Sequence, residues 1–213
     1  MLTRRSLLTS GAAITGAAFL PPSALYAASG PQTLKPNVCS AALKPILSWN
    51  NIPEYRSESP RRTSLLEPGT DFWKKDWPGS PIEGERLTLT GRVLTPQCQP
   101  IANARLEFWH TDSKGLYDYA GFNFRGLQNA DDDGRYRLET TMPGYYNPRR
   151  HLHYLVGVRL DEDKAGILVT NIIGLPTEDE FKTNKPGATI HPSAFKRENG
   201  VLSATFDFVI DVG

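Results

Sequence analysis

Hydrophobic and polar residues alternate along most of the chain after residue 86. In RLTLTGRVL, Leu87, Leu89 and Val93 share one face of a strand, with mostly polar residues between them. The same period of two runs through ARLEFWH, GRYRLET and VLSATFDFVIDV. Alternation of this length is typical of half-buried antiparallel strands. With turn-forming stretches such as TPQCQP and DDDG between them, residues 86–213 are predicted to form an all-β domain with an antiparallel β-sandwich core.

The preceding segment, residues 28–85, shows no sustained period of either kind. It is rich in Pro, Ser, Arg and Trp, and only SAALKPILSW favours a short helix. Prolines and turn residues interrupt regular structure. We therefore expect an irregular, Pro-rich N-terminal arm that wraps the β-sandwich.

The first residues have the layout of an export signal. Arg4 and Arg5 precede a mildly apolar stretch that runs to Leu20, and small residues follow near Ala27. The stretch is too short and too polar for a comfortable membrane span. The paired arginines predict a twin-arginine signal peptide over residues 1–27, with an ordinary secretory signal as the alternative. We expect an exported protein, periplasmic or secreted, with no membrane span after processing.

Charge and cysteine content narrow the classes of function. The formal net charge of +1 gives no sign of a nucleic-acid-binding surface. The two cysteines, Cys39 and Cys98, are too few and too far apart in sequence to suggest a zinc site. In an oxidising compartment they favour one disulfide, which would stabilise the fold mainly by restricting the unfolded chain.

A pair of histidines is the first candidate for chemistry. His151 and His153 are two residues apart in HLHYLVGVRL. On a strand their side chains leave the same face and can reach one metal ion, while Leu152 and Tyr154 leave the other face. The pair alone is a weak indication, because two histidines also occur on solvated strand faces.

Tyrosines strengthen the case for a metal. GLYDY and PGYY both place tyrosines at the ends of predicted strands, where loops gather. A tyrosinate is a hard anionic donor that suits a trivalent ion, whereas softer metals prefer thiolate and imidazole. Free tyrosine has a pKa of about 10, so its ionisation at neutral pH requires a cationic neighbour such as a metal. Two tyrosines with two histidines therefore favour Fe(III).

These residues make the sequence similar to the intradiol ring-cleavage dioxygenases, the non-haem Fe(III) enzymes that open catechols between their two hydroxyls. The resemblance runs in order through LTGRVL, QPIANARLEFWHTDSKGLY, FRG, DDDGRYRLETTMPGYY and HLH. It is strongest toward the short, exported members of this catechol and protocatechuate dioxygenase-like family.

The resemblance implies a mononuclear ferric site. Its protein ligands would be the tyrosines of G-x-Y and P-G-x-Y and the histidine pair, namely Tyr117, Tyr146, His151 and His153. Tyr146 would also act as a base that leaves the metal and takes a proton from the substrate. The cofactor implied is a single Fe(III) ion.

Four further positions are implied to act on the substrate. Arg149 matches the family arginine that stabilises the developing substrate anion, but the spacing to the histidines is one residue short, so Arg150 stays an alternative. Asn171 takes the place of a family glutamine beside the substrate. Tyr145 is implied to form part of the pocket wall.

The implied activity is the O2-dependent intradiol cleavage of a small aromatic diol to a cis,cis-muconate-type product. The main alternative is a non-catalytic prealbumin-like or carboxypeptidase-regulatory-like binding module, which has similar strands but no reason to carry the four ligands. A zinc hydrolase is a third hypothesis, and it lacks a third ligand at normal spacing. The sequence leaves open which catechol is bound and whether the chain forms a homo-oligomer.

Overall fold

The computed structural model describes residues 42–48, 55–56, 59–66, 82–146, 148–159 and 166–213. These ranges contain mainly β-structure, with one short α-helix and a 3₁₀ turn at Pro192–Ala194. In chain order the elements are β1 (Arg86–Leu94), β2 (Arg105–Trp109), β3 (Arg125–Asn129), β4 (Arg135–Thr141), β5 (Arg150–Val158), β6 (Ile167–Leu175), α1 (Glu178–Thr183), β7 (Lys196–Glu198), β8 (Val201–Thr205) and β9 (Phe208–Val209).

Two sheets pack face to face. One has the strand order β4-β1-β8-β7, with β9 also paired to β1, and the other has the order β3-β2-β5-β6. Alternate side chains from both sheets fill the space between them, among them Leu89 and Leu138 from the first sheet and Leu106 and Leu152 from the second. All four are fully buried. The predicted all-β sandwich is confirmed.

The C-terminal strands differ from the prediction. VLSATFDFVIDV predicted one continuous strand, but it forms β8 and β9 with a break at residues 206 and 207. The break faces Gly91, where an added Cβ would overlap the Phe206 carbonyl oxygen. Both strands pair parallel with β1, whereas the other pairings are antiparallel. Parallel pairing is accessible here because β8 and β9 lie far from β1 in sequence, so no hairpin has to connect them to it.

The DDDG turn forms, but it does not join two strands of one sheet. The Asp131 carboxylate accepts hydrogen bonds from the backbone N–H groups of Asp133 and Arg135. The strands on either side, β3 and β4, belong to different sheets. The turn therefore carries the chain from one layer of the sandwich to the other.

The described parts of the arm lie against the sandwich in irregular conformations. Residues 42–48 are not helical, so the helix predicted around them is wrong. Instead, the Leu43 and Ile46 N–H groups donate to the carbonyls of Pro96 and Val209. Their hydrogen bonds go to the sandwich, which replaces the bonds that a helix would make. Farther along, Leu65 is fully buried in the main core.

Some predictions fall outside the described ranges. The signal peptide, 1–27, and Cys39 both do so. Cys98 is disulfide-bonded, and its pairing with Cys39 stays a prediction. Within the ranges given above, no helix is long and apolar enough to cross a membrane.

Candidate metal centre

Strand β5 presents its histidines on the face that points away from the sandwich core. Leu152, Tyr154 and Val156 belong to the core cluster between the sheets. His151 and His153 alternate with them and therefore lie on the opposite face. Both histidines are nevertheless buried, which means that other parts of the chain cover this face.

An aromatic stack covers His153. Trp109 in β2 lies directly opposite His153 in the β2–β5 register. The indole stacks on the imidazole, with ring centroids 5.2 Å apart and planes only 8° from parallel. The ring of Tyr55, in the arm, packs edge-on against the indole of Trp109, with the ring centroids 5.5 Å apart. The stack restricts the plane of the His153 ring, because rotation would drive the imidazole into the indole.

Tyr117 approaches His153 from the loop that follows β2. Its side chain is only 8% exposed. The Tyr117 hydroxyl oxygen lies 2.8 Å from Nε2 of His153, within hydrogen-bond distance. This contact shows that Nε2 of His153 is directed at the phenol.

Tyr146 reaches the same point from a tight turn immediately before β5. The backbones of Tyr146 and Arg149 bond to each other in both directions, with N···O distances of 3.2 and 3.3 Å. The Tyr146 ring lies 5.3 Å from that of Tyr117 and 5.8 Å from that of His151. The two histidine rings are 5.1 Å apart. The structure thus brings together all four predicted ligands, Tyr117, Tyr146, His151 and His153, which we call the four-ring cluster.

The four-ring cluster suits a ferric ion. It offers two phenolic oxygens and two imidazole nitrogens, a donor set for a hard, oxidised metal. The Tyr117 hydroxyl oxygen and Nε2 of His153, 2.8 Å apart, are close enough to be neighbouring ligands of one ion. Within the described ranges, no group of three or more His, Cys, Asp or Glu residues is placed to hold a metal. A metal held at this point would therefore have to bind the phenols as well as the histidines.

The histidines are set to be neutral. Burial lowers the pKa of His151. Burial, together with the nearby His151, His110 and Arg125, lowers the pKa of His153 to about 3. Neutral imidazole is the form that binds a metal, so the two histidines need lose no proton to bind one at neutral pH.

The two candidate arginines point to different sides of β5. A Cβ on Gly174, which pairs with His151, would lie 3.2 Å from the Arg149 side chain. Arg149 therefore crosses the histidine face, and its guanidinium lies 3.2 Å from Glu180 of α1. Arg150 is the next residue along the strand, so its side chain leaves the opposite face, and its guanidinium lies 3.1 Å from the Glu178 carboxylate. The geometry favours Arg149 over Arg150 as the arginine near the four-ring cluster.

The structure does not bring Asn171 to the site. In the β5–β6 register, Asn171 pairs with Tyr154, whose side chain points into the core. Its amide nitrogen donates to the Leu47 carbonyl at 3.0 Å. Ile172, which pairs with His153, lies on the metal-site face instead. This placement corrects the predicted position of Asn171 beside a substrate.

Tyr145 lies next to the four-ring cluster in sequence and is 57% exposed. Its backbone, not its ring, makes the close contact with the Tyr117 loop, at Gly115. Its role as a pocket wall stays a prediction.

Residues that support the site were missed by sequence reasoning. Arg62 donates to the carbonyl of Arg125 at 2.9 Å and Arg56 donates to that of Gly121 at 2.6 Å. These arm residues hold the loop that runs from Tyr117 to β3. One feature of the sequence could have identified Trp109 as a site residue: it is a large aromatic residue on a strand face whose other residues, Arg105 and Glu107, are charged.

Comparison with known proteins assigns the fold to a family. A family model described as "Dioxygenase" matches residues 59–158, which include the whole four-ring cluster. The solved dioxygenase domain of a dioxygenase carbohydrate-binding protein fusion from the cellulolytic bacterium Streptomyces sp. SirexAA-E is 30% identical. The structural match covers 80% of this chain and 100% of the solved domain, with a TM-score of 0.61. The chain belongs to the intradiol ring-cleavage dioxygenase family.

Curated relatives match over shorter regions. Catechol 1,2-dioxygenase 1 of Acinetobacter lwoffii is 39% identical over 155 residues, which is 59% of this chain and 49% of the relative. Hydroxyquinol 1,2-dioxygenase of Rhizobium sp. (strain MTP-10005) is 32% identical over 99 residues, which is 35% of this chain and 34% of the relative. The chain thus spans only part of the length of these relatives. Intradiol dioxygenases generally depend on Fe(III) and act on aromatic diols with O2.

Proposed function

We propose that this protein uses O2 to cleave a catechol-type diol between its two hydroxyl-bearing carbons, giving a cis,cis-muconate-type product. Fe(III) would be held by Tyr117, Tyr146, His151 and His153. The observation that carries the proposal is the convergence of these four rings, with the Tyr117 hydroxyl 2.8 Å from His153 Nε2. A β-sandwich binding module has no reason to assemble this donor set.

The two tyrosines differ in exposure, and this difference assigns their roles. Lewis-acid activation of the diol is the chemistry that a bound ferric ion supplies here. Tyr117 is 8% exposed and packed against His153, whereas Tyr146 is 42% exposed. A substrate therefore reaches Tyr146 first. The Tyr146 oxygen takes a proton from a substrate hydroxyl, as a general base does, while Tyr117 stays in place.

Other side chains shape the surroundings of the reaction. Trp109 and Tyr55 close the inner side of His153 and exclude water from it. Arg149 lies on the substrate side, where its positive charge stabilises the negative charge that develops on the ring. Glu180 holds the Arg149 guanidinium at 3.2 Å, which orients it and also reduces the net charge it offers.

We also propose that the protein is exported. The support is the signal-like pattern of residues 1–27. The disulfide-bonded state of Cys98 agrees with an oxidising compartment.

The test is iron content together with oxygen uptake. The full chain, produced with ample iron, should contain a single iron per chain and be burgundy from tyrosinate-to-Fe(III) charge transfer. It should consume O2 with at least one of catechol, hydroxyquinol and protocatechuate, and the product should be a ring-opened dicarboxylate by mass spectrometry.

Matched variants locate the colour. Tyr117→Phe should lose or shift the absorption band, whereas Tyr119→Phe should keep it, although the Tyr119 ring lies only 6.2 Å from that of Tyr117. Colourless, iron-free protein after growth with ample iron would favour the binding module.

A further inference from the structure

The two loops that carry the tyrosines share a pattern of residues. Each loop has a glycine two positions before its tyrosine, in Gly115-Leu116-Tyr117 and in Gly144-Tyr145-Tyr146. In the fold these two glycines lie against each other. A Cβ on Gly144 would overlap the backbone nitrogen of Gly115, and a Cβ on Gly115 would overlap the carbonyl oxygen of Tyr145. The two loops therefore meet backbone to backbone, with no room for a side chain between them.

Hydrogen bonds hold the loops in this contact. The carbonyl oxygen of Asp112 accepts from the N–H of Gly144 at 2.7 Å and from that of Gly115 at 3.2 Å. The Asp112 carboxylate accepts from the N–H groups of Lys114 and Leu116, both at 2.9 Å. Asp112 thus shapes the first loop with its side chain and ties it to the second loop with its backbone.

The glycine contact lies directly behind the tyrosine pair. Two residues beyond each glycine, the rings of Tyr117 and Tyr146 meet edge to face, 5.3 Å apart. The path from contact to ring is equally short on both sides, so the separation of the backbones sets the separation of the phenols. Metal–ligand distances normally lie within about 0.2 Å of their standard values. An added methyl group at the contact would therefore displace a phenol by more than a metal site accepts.

We propose that the contact between Gly115 and Gly144 positions the two tyrosine ligands, and so sets iron retention and the energy of the tyrosinate-to-iron absorption band. The inference rests on the proposed function, since it takes Tyr117 and Tyr146 as iron ligands. Both glycines are positioning residues, because they act on the metal only through the tyrosines.

Gly144→Ala is the most direct test. Gly144 is not in a left-handed conformation, so alanine is strained there by the contact alone. Gly91→Ala is the matched control. Gly91 lies in β1, away from the four-ring cluster, and it too is packed against backbone, at the Phe206 carbonyl. The measurements on iron-loaded full-length protein are the absorption band, the rate of iron release to a chelator and the thermal unfolding midpoint.

Gly144→Ala should shift the absorption band and release iron at least about 10-fold faster, the size of effect seen when the supports of metal ligands are removed. Gly91→Ala should lower the unfolding midpoint and leave band and release rate unchanged. A folded Gly144→Ala protein with the wild-type band and release rate would overturn the inference. A band shift in Gly91→Ala as large as that in Gly144→Ala would also overturn it, because the effect would then be general loosening.

Asp112→Ala covers the case in which Gly144→Ala does not fold. It removes the exposed hydrogen bonds that shape the first loop and adds no atoms, so the protein should fold and lose iron several-fold faster. An unchanged release rate in that variant would count against the inference. Wild-type protein without any tyrosinate band would instead refute the proposed function, which keeps the two failures apart.

Discussion

His110 and His153 are both buried imidazoles in or beside neighbouring strands of one sheet, but their surroundings differ. His110 follows β2, with Nδ1 2.6 Å from the Thr111 carbonyl oxygen and Nε2 2.6 Å from the Thr140 hydroxyl. Both ring nitrogens of His110 are thus engaged by groups of the fold. His153 instead directs Nε2 at the Tyr117 hydroxyl, in a cluster with His151 and Tyr146.

Burial and charge state do not separate these two histidines. Burial lowers the pKa of His110 to about 4 and that of His153 to about 3, so both are neutral at pH 7. What separates them is the chemistry of the groups that the ring nitrogens face. A histidine whose ring nitrogens are hydrogen-bonded to a carbonyl and a hydroxyl stabilises the fold. A histidine whose ring nitrogen faces other potential metal ligands is suited to bind a metal.

The largest effect is expected from His153→Ala. Removal of supports around metal ligands costs about 10–100-fold in affinity, and loss of a ligand should cost more than that. Iron content and catechol-dependent O2 uptake should both fall to background, while the circular dichroism spectrum stays that of a folded β-protein. Retention of stoichiometric iron would remove His153 from the site.

Tyr146→Phe should separate metal binding from catalysis. Iron should largely remain, because the buried Tyr117 and the two histidines are kept, and the colour should change with the loss of one tyrosinate. Turnover of catechol should fall by about 100-fold or more, the usual contribution of a general base. The check is iron content beside kcat for O2 uptake, and an unchanged kcat would refute the base role.

His110→Gln, unlike His153→Ala, should keep its iron but lower the free energy of unfolding at pH 7. The folded-state pKa of about 4 lies below the ordinary value of 6.5. The folded state therefore binds fewer protons than the unfolded state in this range, and the stability due to neutral His110 is lost as the pH falls from 6.5 to 4. That loss amounts to about 3 kcal/mol.

Urea unfolding of the metal-free protein at pH 7 and pH 4 measures this difference. The wild type should lose more stability than His110→Gln over this interval, since the variant has no imidazole to protonate at that position. Equal losses in the two proteins would show that His110 is not responsible. At pH 7 the variant should be about 1–3 kcal/mol less stable, because a buried hydrogen-bond partner is replaced.

The smallest effect is expected from Asn171→Ala. Asn171 bonds to Leu47 on the face opposite His153, so removal of its amide should change kcat/KM for catechol by less than about twofold, in line with most changes away from a site. Steady-state O2 uptake measures this value. A loss of tenfold or more would place Asn171 beside the substrate after all.

The alternation of apolar and polar residues predicted those strands that have one face in the core and the other face outside it. β1, β2, β4 and β5 follow the alternation closely, since their inward residues must be apolar. The residues of the four-ring cluster were predicted because each belongs to a short motif of the family that the sequence resembles, and a histidine pair two residues apart must share a strand face.

Contacts between distant segments were not predictable in this way. β3, RGLQN, shows no alternation of apolar and polar residues, and its outer backbone edge is bonded by arm residues 60–62, far away in sequence. The alternation in ARLEFWH puts Trp109 on the same face as Arg105 and Glu107, but Tyr55 covers it from more than fifty positions away. A single sequence does not show which distant residues meet.

The misplacement of Asn171 has a different cause. Its assignment came from its place in the motif, whereas the face of a strand depends on register. A shift of one residue moves a side chain to the other side of the sheet. The motif gave the strand correctly but not the face.

The parallel pairing of β8 and β9 with β1 has a consequence for biosynthesis. One edge of β1 can find its partners only after residues 201–209 have left the ribosome, and fully buried Phe208 reaches the interior no earlier. Until then β1 presents unpaired backbone groups, which invite pairing with other chains. A nascent chain released before residue 201 would therefore be prone to aggregate, even though the whole four-ring cluster had already been synthesised.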